Sequence, residues 1–283
     1  MSSSYKKCVM DVIDRFLNED IKRMGDITSD SLFTDETGEA VIVANEDCVI
    51  AGLEEAKHIF GRVDAVVIQG INDGVHVRKG EVVLTIQGFV RSILKAERLS
   101  LNFIGRMSGI ATQTNKLVNI CKKVNPHVNV AATRKTTPGF RKFEKKAILL
   151  GGGEPHRYGL FDMVMIKDNH IKCAGSIEKA IQRIKKKITN KLIEVEVETI
   201  QDALKAASMD VDIIMLDNVN PAEGAKIAKK IRAINKDILI EASGGITPGN
   251  IVDYASFADR ISLGCLTHSV KSIDFSLEIK KLR

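Results

Sequence analysis

The 283-residue sequence has no tryptophan, and aromatic residues make up only 5% of it, so no platform for stacking nucleic-acid bases stands out. No run of eighteen apolar residues occurs, which argues against a membrane-spanning helix. The start, Met1 to Lys7, is polar rather than a basic stub followed by an apolar stretch, so a soluble, unexported protein is expected. Five cysteines, at 8, 48, 121, 173 and 265, are odd in number, widely spaced and form no Cys-x-x-Cys pair. Neither a disulfide framework nor a structural zinc site is indicated, and a reducing cytoplasm fits.

Charge of one sign is in modest excess, +6 in formal terms. The basic runs Lys185–Lys187 and Lys229–Lys230 fall inside helical patterns, where they form solvated outer faces rather than a nucleic-acid surface. A basic mouth for a small anionic substrate remains as a use for the surplus. Hydrophobic residues at 44% suffice for a sizeable core, in one large or two unequal domains.

Val9, Val12, Ile13, Phe16 and Leu17 recur at helical spacing and predict a first amphipathic helix, broken at Gly25-Asp26. From Glu39 to Gln87 short extended runs alternate with turn signals at Gly52, Asn72-Asp73-Gly74 and Lys79-Gly80, which predicts a small α+β domain with an antiparallel sheet. Val90 to Val124 has helical composition, with an interruption expected near Ser108-Gly109. Beyond it, strands are expected near 127–133, 162–166, 192–197, 212–216, 237–242 and 260–264, and helices at 138–150, 176–188, 200–209, 221–234 and 248–256. Three of the five prolines follow a cap-type residue, at Thr137-Pro138, Asn220-Pro221 and Thr247-Pro248, and mark helix starts. This alternation predicts an α/β fold, an incomplete (β/α) barrel spanning 111–269, with a smaller N-terminal α+β sandwich domain over 1–110 joined by the C-terminal segment 270–283. Six or seven strands fall short of eight, so closure is left open.

Each apolar run ends in a polar cluster, and in such barrels strand C-termini converge on one mouth. Arg134-Lys135, after Thr133, sets two cations before a helix start that already favours an anion. His156-Arg157 follows Gly151-Gly152-Gly153, where the backbone is permissive. Lys167 suits a phosphate contact, a Schiff-base nucleophile or a partner for Asp168. Glu196 and Asp217, at corresponding places on consecutive strands, suit either Mg²⁺ or salt bridges to these cations. Ser243-Gly244-Gly245 and Gly264 end the last two strands, where phosphate is commonly held by backbone N–H groups. His156, His170 and His268 lack the i, i+4 spacing of helical metal ligands.

The chain resembles the quinolinate phosphoribosyltransferases. The likeness runs through Gly25-Asp26-Ile27-Thr28, Ala51-Gly52-Leu53, Ala96-Glu97-Arg98, Leu101-Asn102-Phe103 and Met107-Ser108-Gly109-Ile110-Ala111-Thr112. It is strongest at Thr133-Arg134-Lys135-Thr136-Thr137-Pro138-Gly139, Gly151-Gly152-Gly153 with His156-Arg157, and Ile166-Lys167-Asp168-Asn169-His170. It continues at Glu194-Val195-Glu196, Leu216-Asp217-Asn218, Glu241-Ala242-Ser243-Gly244-Gly245-Ile246 and Leu266-Thr267-His268-Ser269. The resemblance implies a pentosyltransferase that joins quinolinate to phosphoribosyl pyrophosphate, with Mg²⁺, in NAD biosynthesis. It implies a homodimer or higher homo-oligomer, with no nucleic-acid or membrane partner. By motif, Arg134, Lys135, His156, Arg157 and Lys167, with Thr133, would hold quinolinate, and Arg98 would reach in from the neighbouring subunit. Glu196 and Asp217 would face ribose and Mg²⁺, directly or not, and Ser243, Gly244, Gly245, Gly264 and His268 would line the phosphate side. Lys135, Lys167, Glu196 and Asp217 would form the catalytic set. Other readings are a sister family associated with molybdenum transport, an aldolase-like Schiff base on Lys167 or Lys135, and a basic nucleic-acid module.

Overall fold

A computed structural model describes residues 3–282; Met1, Ser2 and Arg283, and the side chains of residues 3–9, which include Cys8 and the Val9 of the predicted first helix, lie outside the described residues. The chain divides into two compact units, one of residues 1–113, 137–151 and 270–283, the other of 114–136 and 152–269. Among the described residues no helix is long and apolar enough to cross a membrane.

The first unit carries a four-stranded sheet in the order Phe275–Leu282, Thr37–Ala44, Val82–Phe89, Val66–Gly70, with all neighbours antiparallel. Alternation explains its two faces: Ala40 and Ile42 are fully buried, as is Ile86 opposite Ala40. The helix Val90–Lys122 runs unbroken, so the interruption expected at Ser108-Gly109 does not occur. These residues are small for a packing reason. Buried Ser108 accepts the Ala51 N–H at 2.9 Å and donates to the Ala51 carbonyl at 3.2 Å. A Cβ on Gly109 would lie 2.2 Å from the Lys271 carbonyl oxygen. Four of the scarce aromatics gather in this unit: Phe103 meets Phe143 edge-on at 4.9 Å, and Phe140 and Phe16 complete the group.

The second unit holds six parallel strands: β1 Asn129–Ala131, β2 Val164–Ile166, β3 Ile193–Val197, β4 Ile213–Asp217, β5 Leu239–Ser243 and β6 Arg260–Ser262. Their order, β1-β6-β5-β4-β3-β2, is that of a barrel split open between β1 and β2. Residues 152–163 bring the chain from the β1 side of this gap to β2, and Glu154 bridges Ala131 in parallel fashion. Strands β3 and β4 are almost wholly buried, as parallel strands covered by helices should be. The helix Ile200–Ser208 buries only alanines, Ala203, Ala206 and Ala207, which lets its backbone approach the sheet closely.

Helix starts correct the proline argument in part. Asn220 caps Pro221–Ile234 as expected, its side chain accepting the Glu223 N–H at 3.0 Å. The helices expected from Pro138 and Pro248 instead begin at Arg141 and Ile251, because Thr137–Phe140 and Thr247–Asn250 are turns closed by backbone hydrogen bonds. An unexpected helix, Asp168–Ala174, starts at the polar cluster after β2, where His170 Nδ1 accepts the Lys167 N–H at 3.0 Å.

Candidate functional site

Period-two alternation sends every second residue of the barrel strands inward. At the C-terminal ends these are Lys167, Glu196, Asp217, Ser243 and Ser262, and one pleat deeper they are Met165, Glu194, Met215, Glu241 and Arg260. A cavity of about 390 Å³ opens above, lined by Thr133, Arg134, Lys135, His156, Arg157, Lys167, Glu196, Asp217 and Ser243 among others. Nine of the residues expected at the site therefore share one cavity. The backbone turn Gly244-Gly245, at positive φ, sits beside Asn218, since a Cβ on Gly244 would lie 2.5 Å from the Asn218 side chain. Gly264 stands close to both His268 and Lys135: an added Cβ would meet His268 Nε2 at 2.8 Å and Lys135 Cδ at 3.0 Å. Thr267 Oγ1 donates to the Lys135 carbonyl at 2.7 Å and ties the loop after β6 to the loop after β1. Arg98 is not among the residues lining this cavity; it is exposed on Val90–Lys122 of the first unit.

The mouth is graded in exposure. Lys135 is exposed, the Lys167 side chain is 41% exposed, and Arg157 only 9%. Burial and then the neighbouring Arg134 guanidinium lower the Arg157 pKa below its ordinary value. Arg134 Nε is buried with no hydrogen-bond partner among the described residues. Two guanidiniums that repel one another, one with an idle donor, form a receptor for an anion.

Opposite them, Lys167 and Glu196 form a short ion pair. Asp217 accepts from the Asn218 side chain at 2.8 Å, and burial and then Glu196 raise its pKa. Carboxylates on adjacent strands offer the hard oxygen donors that Mg²⁺ prefers, and an unsettled like-charge neighbour is what a divalent cation relieves.

The deeper tier was missed as a functional feature, although its signal is plain: Glu194, Glu241 and Arg260 each precede an inward mouth residue by two positions. Glu241, fully buried, accepts from His156 Nε2 at 3.2 Å and Arg260 Nη1 at 3.1 Å. Arg260 also grips Glu154 with two bonds, at 2.6 and 2.9 Å. Burial favours the neutral form of Glu241, but His156 and Arg260 outweigh it, and its pKa is lowered. Glu194 has no such partners; burial and then Glu241 push it up to about 9, so this glutamate is protonated at neutral pH. His156, Glu194 and Glu241 offer ligand atoms within 4.8 Å of one another, but Arg260 already occupies the cation's place beside Glu241. The histidines 170 and 268 lie outside that group, one capping a helix and the other bonded to Ser269 at 2.6 Å.

Comparisons with known proteins agree with this architecture. Residues 26–108 match the family model "Quinolinate phosphoribosyl transferase, N-terminal domain", and residues 110–278 match the corresponding C-terminal domain. A probable nicotinate-nucleotide pyrophosphorylase [carboxylating] of Archaeoglobus fulgidus is 47% identical over 244 residues, 85% of this chain and 94% of the relative. One of the same name from Methanothermobacter thermautotrophicus is 41% identical over 280 residues, covering 97% of this chain and 100% of the relative. The solved nicotinate-nucleotide pyrophosphorylase of Francisella tularensis superposes with a TM-score of 0.89 at 37% identity, over 96% of this chain and 97% of that one.

Proposed function

The chain belongs to the quinolinate phosphoribosyltransferase family, and from that premise we propose how its barrel mouth joins quinolinate to phosphoribosyl pyrophosphate. The enzyme is a pentosyltransferase of NAD biosynthesis, giving nicotinate mononucleotide, pyrophosphate and CO₂. The observation that carries the assignment of roles is the crowd of Arg134, Lys135, Arg157 and Lys167 around one cavity facing Glu196 and Asp217.

Arg134, Lys135, Arg157 and Lys167, with Thr133 and His156 beside them, form the quinolinate side. Ser243, Gly244, Gly245, Gly264 and His268 form the phosphate side. Attack of the pyridine nitrogen on the anomeric carbon passes through an oxocarbenium-like state, whose positive charge Glu196 and Asp217 stabilise. The same two carboxylates would hold Mg²⁺, directly or through water, which when bound supplies charge neutralisation to the departing pyrophosphate. Once the nitrogen is quaternised, the pyridinium ring accepts the electron pair left by the adjacent carboxylate, so decarboxylation needs orientation more than a strong base.

The catalytic unit is a homodimer or a larger assembly in which Arg98 serves the neighbouring subunit's cavity. Mixing an Arg98→Ala protein with a Lys167→Ala protein then restores partial activity; no recovery despite subunit exchange counts against the shared site. The protein works in the reducing cytoplasm, consistent with Cys48, Cys121, Cys173 and Cys265 all being free. The deciding assay supplies phosphoribosyl pyrophosphate, Mg²⁺ and either quinolinate or nicotinate, and follows nicotinate mononucleotide and CO₂ together. Both products from quinolinate alone are expected; product from nicotinate overturns the carboxylating assignment.

A further inference from the structure

At the floor of the cavity, His156, Glu241 and Arg260, with the half-buried Glu154, form a polar chain whose geometry dictates where one proton sits. The Arg157 backbone N–H points at His156 Nδ1 from 2.7 Å, and an amide can only donate, so Nδ1 carries a lone pair. Nε2 lies 3.2 Å from Glu241 Oε2 and 3.6 Å from Glu194 Oε2. The Glu241 carboxylate accepts on that side, which requires Nε2 to bear the ring's single hydrogen. Protonating Nδ1 as well would set two N–H groups against each other. The imidazole is therefore neutral, with both nitrogens engaged by the protein and no N–H left for a substrate carboxylate.

Resting on the function above, we propose that His156 meets quinolinate as a neutral ring surface rather than as a cation, and that Glu241 is the positioning residue that holds it so. The backbone supports this role. His156 adopts φ +54°, an uncommon conformation for a residue with a side chain, and the bonds at both ring nitrogens help hold it there. Two residues earlier, Glu154 is clamped by Arg260, and Arg260 in turn holds Glu241. The turn that crosses the barrel's gap is thus anchored by side chains, and Arg157 leaves the chain immediately after the anchored ring. Fixing the ring fixes the direction in which this guanidinium enters the cavity.

Long-range ¹H–¹⁵N spectra of histidine-labelled wild-type protein test the proton placement without requiring turnover. The His156 signal, assigned by its loss in His156→Gln, should show one protonated nitrogen and one bare nitrogen, with and without quinolinate. Two protonated nitrogens in the quinolinate complex would overturn the proposal. Glu241→Gln should raise KM for quinolinate about five- to twentyfold while KM for phosphoribosyl pyrophosphate and kcat stay within about threefold. Equal rises in both KM values, or an unchanged KM for quinolinate, would instead make Glu241 a structural residue. If the wild type forms no nicotinate mononucleotide at all, the functional assignment fails while the spectra still report the tautomer.

Discussion

Of the three fully buried glutamates, Glu144 in the first unit and Glu194 in the barrel stand in opposite circumstances. Glu144 in the first unit has every oxygen occupied: Oε1 accepts from Arg106 at 2.8 Å and from Thr137 Oγ1 at 3.0 Å, and Oε2 accepts the Thr137 N–H at 3.1 Å. Glu194 in the barrel has no hydrogen-bond partner for either oxygen among the described residues, and shares its surroundings with a second carboxylate. The first is a charge buried because it is paired. The second is tolerated because a proton removes its charge. Satisfied ionic groups mark where a fold is being held together, and unsatisfied ones mark where it is prepared for something else.

Removing the paired glutamate, Glu144→Ala, should destabilise the protein by about 3 kcal/mol in urea denaturation, because Arg106 loses its buried counter-ion. A loss below about 1 kcal/mol would mean that Glu144 was not anchoring the unit. At the mouth, Arg157→Ala or Arg134→Ala should raise the quinolinate requirement at least about tenfold, with stability little changed, since a charge-assisted contact contributes on the order of 1.5–3 kcal/mol. Unchanged steady-state kinetics would remove that arginine from the site.

The smallest effect is expected at Glu194. Its folded-state pKa is raised, so the folded chain retains a proton that the unfolded chain releases above its ordinary value of 4.5. The stability this proton confers is complete below pH 4.5 and is lost as pH climbs toward about 9. Glu194→Gln mimics the protonated form and adds N–H donors beside the unpartnered Glu241 Oε1. It should match wild type at pH 4 and exceed it at pH 8 by at least about 1 kcal/mol. Parallel stability curves for the two proteins across that range would refute the protonated glutamate.

Much of the barrel was legible because its strands are short apolar runs ending in polar clusters, and those clusters gather at one cavity. The helix Asp168–Ala174 was not, since its first turn looks like a strand-end cluster and only the Lys167–His170 bond reveals the cap. Proline placed one helix start correctly and two three residues early, because turn-closing bonds at Thr137 and Thr247 compete with helical ones. Gly109 looked like a break, and only the chain segment at Lys271, 162 positions later in sequence, explains why a helix needs it. The buried tier was hidden differently: Glu194, Glu241 and Arg260 were readable by alternation, but that Arg260 pairs with Glu241 and leaves Glu194 without a hydrogen bond becomes visible only when the strands are side by side.

The gradation of cations at the mouth also has a kinetic meaning. Lys135, facing water, acts on a dianion at a distance, whereas Arg157, nearly enclosed, acts only on contact. Dissolved salt screens the first interaction far more than the second. Capture of quinolinate, followed by stopped flow, should therefore slow as ionic strength rises while its escape rate stays nearly constant. If escape accelerates instead, the outer lysine is part of the grip and not of the approach.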